Sequence, residues 1–156
     1  MRYIAHRGLI DGPNVNIENH PDTLSYAWKL GYLCEVDVWM VDNKIYCGHD
    51  KPQYEVTQQF IVDNSSRSWY HCKNFEALKF FSEQMLVMFN FFWHENDKFT
   101  LTSLGYVWTF PNNPLGHESV CVLPELFMPL EECVVLNCAG ICSDYIGTIR
   151  HLRGDQ

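Results

Sequence analysis

Between Cys34 and Asp50 the sequence reads CEVDVWMVDNKIYCGHD. Glu35 and Asp37 stand inside a run that otherwise has the composition of a buried strand. Side chains alternate across a strand, so these two carboxylates share one face while Cys34, Val36 and Val38 share the other. Paired carboxylates resist joint ionisation unless a cation sits between them, and oxygen ligands favour Mg2+ or Ca2+. A second strand-like run ends on His49-Asp50, and an earlier one, RYIAH, ends on His6-Arg7-Gly8. Two histidines at one rim can accept one proton and donate another near neutral pH. Arg7 offers a planar fork suited to phosphate or carboxylate. Gly8 lets the backbone leave the strand sharply.

These residues need a scaffold that brings strand ends to one rim. Eight strand-like runs recur: 2–6, 33–38, 44–49, 68–72, 86–93, 106–110, 119–124 and 140–145. They are short and mostly rich in β-branched or aromatic residues. Helical spacing appears at 21–31, with Asp22 or Thr23 as cap and Gly31 as stop, and at 73–85, where Asn74 can cap. A short helix fits 57–64. After position 100 helical patterns nearly vanish. Strand and helix in alternation predict parallel pairing. The expected fold is α/β: a compact or incomplete (β/α)8 TIM-like barrel, with several helices missing, mainly in the second half. A full barrel usually takes about 250 residues, and this chain has 156. Residues 1–156 are expected to form a single domain.

The segment 38–44 tests the barrel. If 33–38 and 44–49 are parallel, the chain must run back between them, and seven residues can span roughly 23 Å at about 3.3 Å each. A hairpin turning at Asp42-Asn43 is the competing reading, and it is expected to separate His49 from the carboxylates. The parallel reading gathers all three at one rim.

Net charge is −8, with no basic block, which argues against nucleic acid and anionic membranes as partners. No apolar run reaches about 18 residues, so no membrane-spanning helix is expected. Nothing after Met1 has the pattern of a signal peptide. Seven cysteines occur without a CxxC pair, which reads as buried free thiols in a reducing, cytoplasmic compartment. The aromatic run FNFFW and strands left bare by absent helices favour a homo-oligomer.

The ordered set IAHRG, Glu18-Asn19, LGYLCEVDV and DNKIYCGHD resembles the glycerophosphodiester phosphodiesterases, of the phospholipase C-like phosphodiesterase barrels. GICSDY resembles the last barrel strand of that family. The resemblance is specific over about the first third of the chain and thin between there and GICSDY. It implies a metal-dependent phosphodiester hydrolase acting on a small phosphodiester. Glu35 and Asp37 would hold a divalent cation, His6 and His49 would be general base and acid, and Arg7 and Asn19 would face the substrate. Attack would come from water or from a neighbouring substrate hydroxyl. Two departures stand out. Where the family has Glu-x-Lys on the next strand, this chain has His71 and Lys73. Lys73 keeps the substrate-binding role, while His71 is either a third metal ligand, bringing in Mn2+ or Zn2+, or a hydrogen-bonding or substrate-contact residue. The family's Glu-Asn-Thr is interrupted here by His20-Pro21-Asp22 before Thr23. The lost Glu and missing helices motivate an alternative: a non-catalytic binding module that retains an anion or sugar-phosphate pocket. His94, Glu95, Asp97, Trp108 and Glu125 follow strand ends but read more simply as loop or core.

Overall fold

Alternation along the strands sorts the side chains into two cores, and the sheet curls between them. The structure, a computed structural model, describes residues 1–155. Its strands are β1 (Arg2–Ala5), β2 (Leu33–Val41), β3 (Lys44–Cys47), β4 (Tyr54–Val56) and β5 (Ser68–Cys72), then β6 (Asn90–Phe92), β7 (Phe99–Leu101), β8 (Val107–Thr109), β9 (Ser119–Val122) and β10 (Gly140–Ser143). The α-helices are α1 (Pro21–Lys29), α2 (Gln58–Asp63), α3 (Phe75–Ser82), α4 (Leu130–Cys133) and α5 (Ile146–Leu152).

A parallel run proceeds β6-β5-β2-β1-β10-β9-β8. Its inner face carries Ile4, Trp69, Phe92, Trp108, Val120, Val122 and Cys142, which pack on one another. Its outer face presents Ala5, Cys34, Val36, Val38, Tyr70 and Ile141 to apolar residues of the helices, among them Leu24, Ile61, Phe81 and Ile149. Burying such side chains on both faces stabilises a parallel sheet, each contributing about 1.5–3 kcal/mol relative to exposure.

The expected (β/α)8 barrel does not form. The sheet is mixed and makes a half-barrel: β7 is antiparallel to β8, β3 and β4 are antiparallel additions, and no ladder closes β6 onto β8 among the described residues. Phe92 and Trp108 meet across that opening with ring centroids 4.6 Å apart. The third candidate strand, 44–49, is lost as a stave because residues 44–47 pair back on β2.

That pairing corrects the parallel reading of 33–38 and 44–49. Asp42 and Asn43 both have positive φ (49° and 61°), as a tight hairpin turn requires. The hairpin nevertheless brings His49 to the carboxylates. β2 does not stop at Val38 but runs to Val41, so β3 returns alongside its upper half, Lys44 opposite Val41 and Cys47 opposite Val38. His49 therefore emerges beside Asp37. Gly48 makes this exit with φ 151°, and a Cβ there would collide with the Lys51 carbonyl.

Other expectations divide. All seven cysteines are free and six are buried. The run FNFFW supplies only Trp93 as exposed surface, since Phe89 and Phe92 are buried; the barest apolar side chains nearby, Met85, Leu86 and Met88, precede it. No helix is long and apolar enough to cross a membrane among the described residues. α1 is capped by His20, whose Nδ1 accepts from Asp22 N at 3.1 Å, rather than by Asp22 or Thr23. α3 takes Asn74 as its cap, and this residue also ties the helix to β2. Asn74 Oδ1 accepts from Ala77 N and Met40 N, both at 3.1 Å, and Nδ2 donates to Met40 O at 2.7 Å. Asn74→Ala is expected to cost about 2 kcal/mol, read as a lower urea midpoint at unchanged m-value.

Candidate functional site

The inner face changes character toward the C-terminal ends of the strands. Below lie Ile4 and Trp69; above them, on the same face, stand His6, Glu35, Asp37 and His71, all buried. Asp37 pairs in register with His71 across β2 and β5. A cavity of about 240 Å³ opens here. One wall is polar, with His6, Arg7, Glu35, Asp37, His49, His71 and His94; the other is Trp108, Phe110, Val122 and Leu123. A second cavity shares His49, His71 and His94 and adds Lys73, Trp93 and Glu95.

Asp37 is the hub. Its Oδ2 lies 3.2 Å from both His49 Nδ1 and Arg7 Nε, and its Oδ1 lies 2.9 Å from His71 Nδ1 and 3.5 Å from Lys73 Nζ. Asn19, fully buried, clamps it twice: Nδ2 donates to Oδ2 at 2.8 Å, and Oδ1 accepts from Asp37 N at 3.0 Å. Burial opposes the Asp37 charge, but His49, His71 and Lys73 outweigh it and hold this carboxyl well below its ordinary range. Glu35 moves the other way: burial and the Asp37 charge push its pKa up. Glu35 accepts one bond, from Arg7 N at 3.1 Å. The Arg7 guanidinium is also held by Glu18, Nη1 donating to Oε2 at 2.9 Å. Arg7, Asn19 and Leu123 all have positive φ (52°, 59° and 46°) and all stand at this rim. Such strain persists where surroundings over-determine it and concentrates at functional sites.

His6 has its own partner. Its Nδ1 lies 2.8 Å from Asp144 Oδ1, and Asp144 is fixed by Glu125, whose Oε1 accepts from Asp144 N at 2.9 Å and from Ser143 Oγ at 2.8 Å. Burial disfavours the His6 cation, but Asp144 and Glu35 more than compensate, so its pKa is raised. A raised folded value means that stability from this pair is fully present below about pH 6.5 and is lost as pH climbs through the folded value. Asp144→Asn removes the main support, and the burial cost then dominates. The His6 imidazole should titrate below its wild-type value, as followed by its ring resonances in an NMR pH series.

The structure thus brings His6, Arg7, Asn19, Glu35, Asp37, His49, His71 and Lys73 to one rim. Three further residues were undervalued or unseen. His94 lies parallel to His71 (ring centroids 4.4 Å apart, 5° between planes), and burial, with the His71 charge, pushes its pKa down to about 4. Its signal was the alternation Phe92 to His94 beyond β6. Asp144 follows Cys142 by the same alternation. Glu125 follows the end of the run 119–124, and the Leu123 turn brings it to Asp144. Asp97 turns away, accepting from Glu95 N at 3.3 Å, and His117 is exposed.

The cluster fits a divalent cation. Glu35, Asp37 and His71 each offer a ligand atom, all within 4.8 Å of one another. Asp37 Oδ1 is buried without a hydrogen-bond partner. The nearby His71 nitrogen is off the line that a hydrogen bond needs, yet two ligands at right angles about one ion at roughly 2.1 Å stand about 3.0 Å apart. No family model matches the sequence, and neither the curated proteins nor the solved structures contain a significant match.

Proposed function

We propose that this protein is a metal-dependent phosphodiesterase acting on a small phosphodiester. One observation carries the reading: two histidines from strands that both pair with β2, His6 and His49, meet a buried Glu35/Asp37 pair in a cavity that also holds Arg7. A bound divalent cation would neutralise charge on a non-bridging phosphate oxygen. Arg7 and Lys73 supply fixed positive charge for the phosphate. The attacking oxygen, of water or of a substrate hydroxyl, forms the new P–O bond and gives its proton to His49. The leaving alkoxide takes a proton from His6, whose charged form Asp144 supports, so the base and acid roles are the reverse of those the resemblance implies. Arg7 begins engaged by Glu18 and Asp37, so substrate must compete for its guanidinium. That engagement also favours the alternative of a non-catalytic anion pocket, in which the same groups bind and nothing turns over.

The test is chelator-treated protein assayed against bis-(p-nitrophenyl) phosphate and glycerophosphodiesters, with each divalent ion restored in turn. Hydrolysis that depends on added ion supports the reading. No release of alcohol from any diester with any ion overturns it. Binding of ion and inorganic phosphate without turnover establishes the pocket reading.

A further inference from the structure

We propose that the Glu35–Asp37–His71 cluster takes a nitrogen-accepting transition ion, of the Zn2+ or Mn2+ class, with His71 Nδ1 as a ligand, and discriminates against Mg2+ and Ca2+. This rests on the metal site of the proposed function and names its ion.

The His71 ring is held for that role. It lies flat against Phe92 (centroids 5.1 Å, 8° between planes) and against His94 (4.4 Å, 5°), so it cannot swing without breaking two stacked contacts. Its Nε2 faces the His94 carbonyl at 3.4 Å. A carbonyl only accepts, so Nε2 carries a ring proton, and in the neutral ring the lone pair sits on Nδ1. That lone pair points at two carboxylates, 2.9 Å from Asp37 Oδ1 and 3.7 Å from Glu35 Oε1. In the ion-free protein a second proton on Nδ1 bridges this contact, and a metal ion takes the place of that proton. A ligand histidine that donates its other N–H to a backbone carbonyl is the usual outer support of a metal site. The two separations bracket the roughly 3.3 Å edge of a tetrahedron with bonds of about 2.0 Å. Imidazole is a good ligand for Zn2+ and its neighbours, whereas Mg2+ and Ca2+ seek oxygen and gain most from carboxylate charge. Here the local charge is already reduced, because Arg7, Lys73 and His49 crowd Asp37.

The experiment has two arms on the full-length chain. In the first, Zn2+ is titrated into 15N-labelled protein and the ring nitrogens of His71 are followed. Ligation should shift Nδ1 by several ppm with Nε2 remaining protonated. In the second, calorimetry compares Zn2+, Mn2+, Mg2+ and Ca2+ in wild type and His71→Glu. The substitution should cost at least 10-fold in Zn2+ affinity and gain at least 10-fold for Mg2+ or Ca2+. The first arm needs no variant, so a misfolded His71→Glu leaves it decisive. An unshifted Nδ1 under saturating Zn2+ overturns the inference, as does a His71→Glu variant with unchanged ion preference. Binding of no ion at all overturns the metal reading beneath it.

Discussion

Asp37→Asn and Glu35→Gln should abolish ion binding alike and move stability in opposite directions. Asp37 is the one carboxylate that Arg7, His49, His71 and Lys73 share. Its removal leaves that buried positive charge poorly matched, with only Glu18, Glu35 and Asp50 remaining nearby, a situation that approaches the cost of breaking a buried pair, about 3 kcal/mol. Because its folded pKa is depressed, the lost stabilisation is present above the unfolded value of about 3.9 and shrinks as pH falls below it. Glu35 is the reverse case. Its raised pKa means that its charge is poorly compensated, so the ion-free fold bears a cost that grows as pH rises through the folded value. Glu35→Gln should therefore leave the ion-free protein as stable as wild type or more so at neutral pH. Thermal unfolding of chelator-treated proteins at pH 7 and pH 4, beside calorimetry with the preferred ion, checks both signs. Two variants equally destabilised when ion-free would mean that the cluster is an ordinary ion-pair network.

The part of the fold legible from sequence was the part encoded locally. Period-two alternation around Glu35 and Asp37 placed them correctly on the inner face, and all eight strand-like runs contain a strand. Which strand pairs with which was not local information. Residues 44–47 carry the same strand-like pattern whether they form a stave or a hairpin arm; the difference lay in β2 continuing past Val38 through Trp39-Met40-Val41. Those apolar residues read equally well as a connection. The short strands β4 and β7 were missed because each stands among polar neighbours outside any longer strand-like run, and the helix α5 because it carries Gly147 and β-branched residues that lower helix propensity. Gly147 is there for a tertiary reason: a Cβ would stand 3.0 Å from the Ile10 carbonyl. The same limit applies at the site. His6 was visible as a strand end, but its partner Asp144 lies 138 positions away, and only the β1–β10 pairing brings the two together.

The acid–base assignment gives the second large effect. His6→Ala and His49→Ala should each lower turnover by about 10²–10⁴-fold, the range for loss of a general acid or base. They should do so differently across pH. His6 donates, and Asp144 and Glu35 raise its pKa against burial, so the wild-type rate should fall on the alkaline side only above the ordinary imidazole value. His6→Ala removes that alkaline limb, whereas His49→Ala leaves it in place. Asp144→Asn, with both histidines intact, should move the alkaline limb to lower pH without erasing it, because the donor survives but loses its proton earlier. A leaving group that needs no protonation, such as p-nitrophenolate, should rescue His6→Ala and leave His49→Ala impaired. Rescue of His49→Ala instead would exchange the two roles. A uniform loss in both variants, with an unchanged pH profile and equal lowering of thermal stability, would make the histidines structural. The separation of their partners is what argues against that outcome: His6 Nδ1 contacts Asp144 at the end of β10 and His49 Nδ1 contacts Asp37 on β2, so each ring is oriented by its own carboxylate.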